Sequence, residues 1–483
     1  MKKIVLINFI LTLICISCQN QKSNEIQAIE NGLLLETQVI GSTIKTFNII
    51  DRMKYYKVPG VSIAVVENGK IKWAKGYGIA NTNTGLKVDE NTLFQAGSIS
   101  KPIAALSVLK LVEEGVLNLD QDVNIYLKDW KIPDNEFTKN EKITLRRLLT
   151  HTAGITVHGF PGYKQRDNFP SITQVLNGEG NTPKIVVDTI PGNIWRYSGG
   201  GYTILEKIVE EISGLPFEVY MANHILEPMG MNNSSTYEQP LGINYQSNVS
   251  AAYNFQGEII DGLWHNYPEQ AAAGLWTNPT DLAKYCIEIQ DILKGKENGV
   301  LSKETIVQML TKHENNWGLG PSLHSDENSL IFRHGGKNAG FTNKFISFSD
   351  RGSAVIVMTN ADNGDGLIDE ILRSVSSYYN LGISNPRMVE PIKLSEEELN
   401  KFVGKYKLNY QVPEIGDYII DISIKDGELF VNDTNNGDTK VLTALGDLKF
   451  IDLKIGDQGL FQINNEEIGL LWGTNRLQFY KID

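Results

Sequence analysis

Two β-rich runs, Val61–Val66 and Ile71–Tyr77, are joined by Glu67-Asn68-Gly69-Lys70. Asn-Gly between such runs is the strongest short-range hairpin signal, because both residues adopt positive φ at little cost. Two further strands are expected far downstream, at Phe341–Ser349 and Ser353–Thr359, turning at Asp350-Arg351-Gly352. A helix is expected over Thr43–Tyr56, stopped by Val58-Pro59-Gly60, and a long apolar one from Ser98 to Glu114, with Gly115 as its stop. From Leu117 to Met309 the pattern is mostly helices and polar loops, and a helix over Gly366–Tyr379 follows the last strand pair. Strands from both ends of a region, with a helical block between them, predict an α+β fold. Its parts are one antiparallel sheet, flanking helices and an all-helical lobe.

Beyond this region the character changes. Residues 383–393 contain Pro386 and Pro391, lack periodicity and read as a linker. Leu394–Phe402 reads as a short helix capped by Ser395. Short β runs follow at Tyr418–Ile424, Glu428–Val431, Lys449–Ile455, Gly459–Ile463, Ile468–Trp472 and Leu477–Ile482. That spacing predicts a small all-β barrel. The expected organisation is a signal peptide over 1–18, a tether over 19–28, a main domain over 29–382, the linker, and the barrel over 394–483.

The signal peptide rests on Met1-Lys2-Lys3 followed by the apolar run Ile4–Ile16, which is shorter than a spanning helix needs. Ser17-Cys18 after it suits a lipoprotein cleavage site, with Cys18 as the lipidated residue. The expected location is therefore the periplasm or outer membrane of a bacterium, with the membrane touched only through the lipid. Once Cys15 and Cys18 are set aside, Cys286 is left without an internal disulfide partner. The 7 His residues show no i, i+4 pair and no Cys/His cluster, so neither a metal nor an organic cofactor is expected. A net charge of −12 and the lack of a basic stripe exclude a nucleic-acid partner.

The chemistry centres on Ser98-Ile99-Ser100-Lys101. On a helix, positions i and i+3 share a face, so this hydroxyl and amine can touch. A serine is a weak nucleophile until a base takes its proton, and a lysine is that base only when burial or a nearby cation keeps it neutral. The same spacing recurs at Ser42–Lys45 and Ser107–Lys110. Ser98 differs in position: Gly97 precedes it and the apolar helix begins just after it. There, free N–H groups and the helix dipole favour developing negative charge. Ser198-Gly199-Gly200-Gly201 has no Lys-Ser/Thr at phosphate-loop spacing, and no Gly-x-Ser-x-Gly elbow occurs.

Phe94–Lys101 resembles the nucleophile segment of the serine β-lactamase and penicillin-binding-protein superfamily, in its class C β-lactamase-like branch. Leu148–Ile155, Tyr197-Ser198-Gly199, Ala273–Thr277 with Asp281-Leu282, and His334-Gly335-Gly336 are similar to further segments of that branch, in the same order. The resemblance covers roughly Tyr55 to Leu381. It implies a β-lactamase/transpeptidase-like fold and a serine hydrolase that forms an acyl-enzyme on Ser98. It also implies Lys101 as base, Tyr197 as proton partner, and His334 in place of a strand lysine, holding a substrate carboxylate when charged. The oxyanion would be held by the backbone N–H groups of Ser98 and Lys337, with Gly335 and Gly336 allowing close approach. His151 is expected to support the site structurally. Gly199 and His334 replace the family's usual Asn and Lys, which favours an esterase or a D-amino-acid-type peptidase or amidase acting on a small molecule or peptide. The alternatives are a β-lactamase or DD-peptidase, and a non-catalytic binder on the same fold. The segment from Phe402-Val403-Gly404-Lys405-Tyr406 onward resembles an appended lipocalin-like barrel.

Overall fold

The computed structural model describes residues 23–231, 235–325, 329–412, 415–435, 437–464, 467–473 and 476–482. The expected signal peptide and Cys18 lie outside these residues. The described residues form two compact units, one over Ile50–Ile368 and one joining residues 23–49 with those from Asp369 onward.

The first unit is built on a seven-stranded sheet. In chain order its strands are β1 (Gly60–Glu67), β2 (Lys70–Asn81), β3 (Leu86–Lys87), β4 (Ser322–Ser325), β5 (Leu330–Asn338), β6 (Phe341–Phe348) and β7 (Ala354–Thr359), arranged β3-β2-β1-β7-β6-β5-β4. Every neighbouring pair is antiparallel. The β1–β2 turn carries positive φ at Asn68 and Gly69, as a tight hairpin requires. The two ends of the unit meet at the sheet centre, where Ala64 of β1 faces Ile356 of β7. Both strands are buried almost throughout, which is why they read as continuous Val/Ile runs rather than alternating ones.

Helix α1 (Ser100–Glu113) is buried along most of its length, consistent with an apolar surface on nearly every side. A 3-10 turn, Gly97–Ile99, precedes it, so the expected start at Ser98 resolves into a tight turn followed by the α-helix. Helix α2 (Gly199–Ser213) begins at the Ser198 cap, whose hydroxyl accepts from the Gly201 N–H. It packs with α1 and short neighbouring helices into the helical lobe. Helix α3 (Pro279–Leu293) packs on β1 and β7, with Asn278 as cap and Pro279 at its first position. Cys286 is buried on this helix and is a free thiol.

The second unit contains a closed antiparallel barrel of eight strands, from Gly404–Leu408 to Leu477–Lys481. Closure occurs where Tyr406 pairs with Lys481. The helix before it, Glu396–Asn400, carries the expected Ser395 cap as a full capping box with Glu398. Two local expectations in this unit are corrected. The helix expected over Thr43–Tyr56 starts only at Ile49; Thr46-Phe47, a β-branched and an aromatic residue that suit a strand, instead pairs with Leu33-Leu34. Part of the expected linker, Arg387–Val389, is a strand running parallel to Thr37–Val39. That pairing joins distant segments, so no local pattern announces it.

Candidate active site

Ser98 sits in the 3-10 turn at the head of α1, and Lys101 lies in the first turn of that helix. The Lys101 side chain is buried, with Nζ 3.1 Å from Ser98 Oγ and 2.7 Å from the carbonyl oxygen of Ala272. Burial alone pushes the ammonium down to about 7. A large share of Lys101 is therefore neutral near pH 7 and able to accept the Ser98 proton.

The carbonyl that holds Lys101 belongs to a π-helical turn, Gln270–Gly274. Glu206 on α2 accepts the Ala271 N–H at 2.7 Å, and Asn338 Nδ2 donates to the Ala273 carbonyl at 3.0 Å. The Glu206 carboxyl is buried, which raises it well above the usual range. Glu269, at the start of the turn, is also buried and pushed up to about 8. Neither of its carboxyl oxygens has a hydrogen-bond partner among the described residues.

Strand β5 borders Ser98. β4 pairs with it only as far as Arg333, and beyond that point the Gly97–Ile99 turn lies against it. The two backbones touch: a Cβ on Gly336 would stand 1.8 Å from the Ala96 carbonyl oxygen, and one on Gly97 2.5 Å from the Lys337 nitrogen. Gly97 also has φ +55. The Gly97 backbone thus lies against the Lys337 nitrogen at one sheet edge. The Lys337 side chain turns away to Asp365, 3.3 Å distant.

Tyr197, just before α2, brings its ring to 5.0 Å from Lys101 Nζ. Burial raises its phenol well above the usual value, and the nearby Ser98 opposes this. The hydroxyl makes no regular hydrogen bond among the described residues. His151 supports the Tyr197 ring from 4.3 Å, while its Nδ1 accepts the Ser198 N–H. This is the structural position expected of it. At Gly199, a Cβ would meet the Phe160 ring at 2.8 Å, so the space of the family's Asn side chain is taken by an aromatic.

His334 is buried on β5, its Nδ1 facing the Gly335 carbonyl. Burial first, and the Lys101 charge second, push it down to about 3. Desolvation thus favours the neutral imidazole, the form that offers no charge to a substrate carboxylate. The site's other walls include Trp317, whose ring lies 5.7 Å from Tyr197 and 5.5 Å from His334, and Trp195, 5.4 Å from Trp317. Sequence reasoning missed both tryptophans. Trp195, two positions before Tyr197, could have been flagged by proximity, whereas Trp317 lies in a loop with no motif around it.

The Beta-lactamase family model matches residues 48–375 of this chain. Over 255 residues the chain is 27% identical to a teichoic acid D-alanine hydrolase of Staphylococcus aureus, covering 52% of this chain and 60% of that protein. Over 321 residues it is 26% identical to Protein flp of Staphylococcus aureus, covering 63% of this chain and 60% of that one. The chain thus spans about three-fifths of the length of these curated relatives. The structure of the octameric penicillin-binding protein homologue from Pyrococcus abyssi superposes with a TM-score of 0.61 at 25% identity, covering 90% of this chain and 98% of that one.

Proposed function

The chain belongs to the beta-lactamase family, and from that premise we propose that it is a serine hydrolase cleaving an ester or amide through an acyl-Ser98 intermediate. The observation that carries this reading is the buried Lys101 amine, 3.1 Å from Ser98 Oγ and pushed down to about 7. In the proposed reaction, Ser98 Oγ attacks the carbonyl carbon while its proton passes to neutral Lys101. The resulting oxyanion is held by the Ser98 and Lys337 N–H groups. Collapse breaks the bond to the leaving group, which takes the proton by way of Tyr197. Water then attacks the acyl-serine, gives its proton to the Lys101–Tyr197 pair, and releases the acid as Ser98 recovers its hydrogen.

The substrate class follows from what the walls carry. A neutral His334 offers no charge to a carboxylate next to the scissile bond, and Gly199 offers no amide group. This supports esters and D-amino-acid derivatives, including D-alanyl esters, over β-lactams and DD-peptides. The relative named as a teichoic acid D-alanine hydrolase supports the same class. Export, with lipidation at Cys18, belongs to this proposal, and loss of fatty-acid labelling in Cys18→Ala tests it.

The deciding measurement is intact mass after incubation with a short-chain activated ester and, separately, with a penicillin, beside Ser98→Ala. The expected result is an acyl adduct from the ester that needs Ser98, with little from the penicillin. Full hydrolysis by Ser98→Ala would overturn the mechanism. A Ser98-dependent penicillin adduct would replace the substrate class with antibiotic or cell-wall chemistry. No adduct from either reagent would favour a binding protein on this fold.

A further inference from the structure

At the head of α2, the run Ser198-Gly199-Gly200 lies against an incoming loop, residues 156–163. The Gly199 and Gly200 N–H groups donate to the His158 and Val157 carbonyls, each at 3.0 Å. The Ser198 hydroxyl donates to the Thr156 carbonyl at 2.8 Å. Side chains would prevent this approach. A Cβ on Gly200 would stand 2.7 Å from the Thr156 carbonyl oxygen, and one on Gly199 3.1 Å from that of His158. The other end of the loop is held as well. Tyr163 and Asn266 exchange backbone hydrogen bonds at 2.8 and 2.7 Å, and the Asn181 side-chain amide donates to the Gly162 carbonyl at 2.8 Å.

Within this pinned strap, Val157 has φ +63. A β-branched residue rarely takes that conformation, which persists only where the surroundings enforce it. The next residue, His158, brings its ring centroid to 4.9 Å from that of Tyr197. His151 and Trp317 also pack near Tyr197 but are buried, whereas His158 is exposed. Neither ring nitrogen of His158 has a hydrogen-bond partner among the described residues. The fold thus holds an available imidazole beside the phenol assigned to proton transfer, at the cost of a strained neighbour.

Resting on the acyl-serine reading above, we propose that His158 is the leaving-group contact of the Ser98 site and hydrogen-bonds a second hydroxyl on the departing alcohol of a polyol ester. In that reading the ester C–O bond breaks once the Ser98 Oγ–acyl bond has formed, and the departing oxygen takes its proton by way of Tyr197. The alcohol therefore leaves beside the Tyr197 ring, where His158 stands. A hydroxyl pairs with an imidazole in any tautomer or charge state, since it can both donate and accept. The test compares the D-alanyl esters of glycerol and of propan-1-ol, which share an acyl group and differ in the hydroxyls of the alcohol. Each rate is divided by that ester's rate with hydroxide. The ratio of kcat/KM values, which reports acylation, should favour the glycerol ester by about fivefold, the fold-change of one net hydrogen bond. His158→Phe keeps a ring against Tyr197 without its nitrogens and should remove the preference. Decay of the D-alanyl adduct, followed by intact mass in quenched samples, should have the same rate for both esters and in both proteins, because the alcohol has already gone. A merely structural role would slow both steps with both esters. Lack of a preference in the wild type, a preference that survives His158→Phe, or slowed deacylation in that variant would overturn the inference and leave the acyl-serine reading standing. Absence of a Ser98 adduct from either ester would remove that reading, and this inference with it.

Discussion

Among the described residues, Lys101 is an amine with one carbonyl and one hydroxyl within hydrogen-bond reach and no carboxylate partner. Its charge is costly where it sits, and that cost sets the pH at which it becomes a base. With the value lowered to about 7, the neutral form dominates above that pH and is lost as pH falls through it. The acid limb of kcat/KM for an activated ester should therefore lie near pH 7, and His334→Asn should leave it there, since that imidazole is already neutral across the range. A limb that moved with His334 would assign the titration elsewhere. Lys101→Met should lower kcat/KM by about a thousandfold, the usual scale for losing a general base, with the thermal midpoint unchanged or raised. Tyr197→Phe should lower kcat by about a hundredfold with KM little changed, because its hydroxyl is assigned to proton transfer rather than binding. Ser98 and Lys101 were legible in the sequence because their relation is local, three positions apart from the 3-10 turn into the first turn of α1. The Ala272 carbonyl and Trp317 were not, because tertiary packing alone brings them to the same amine and phenol.

At the scale of elements, the site is a contact between a turn, a strand edge and a clamped loop. Gly336→Ala would drive a methyl group into the Ala96 carbonyl and push β5 away from the nucleophile turn. The expected loss is about 1–3 kcal/mol of stability, with ester turnover falling well beyond what that alone explains. Chemical unfolding beside a burst of product release separates the two effects. Glu206→Ala leaves the Ala271 N–H buried without its acceptor, at a cost of about 1–3 kcal/mol, and frees the turn that presents the Ala272 carbonyl to Lys101. Its pH profile should shift along with its stability, an outcome that a purely structural role would not produce. The hairpin and the Ser395-capped helix were readable because Asn68-Gly69 and Ser395 carry their own conformational preferences. The parallel pairing of Thr37–Val39 with Arg387–Val389 was hidden in what looked like a linker, since each half is too short to show a pattern.

The whole molecule is assembled from segments that are distant in the chain. In the second unit, the N-terminal segment supplies buried Ile29, Leu33 and Leu34, while Arg373 and Ser374 donate to the Leu34 and Ile29 carbonyls. Deleting residues 23–49 should lower the thermal midpoint clearly, because each of those apolar side chains is worth about 1.5–3 kcal/mol when buried. A midpoint unchanged in calorimetry would show the segment to be dispensable. In the first unit, the sheet closes only when β7 reaches β1, and the edge beside Ser98 needs β5. Pairings across such separations form late and slowly. A growing chain therefore carries Ser98, the proposed nucleophile, for most of its synthesis without the surroundings that would arm it. The sheet's order of assembly acts as a timer, keeping the serine chemically silent until nearly the whole unit has been made.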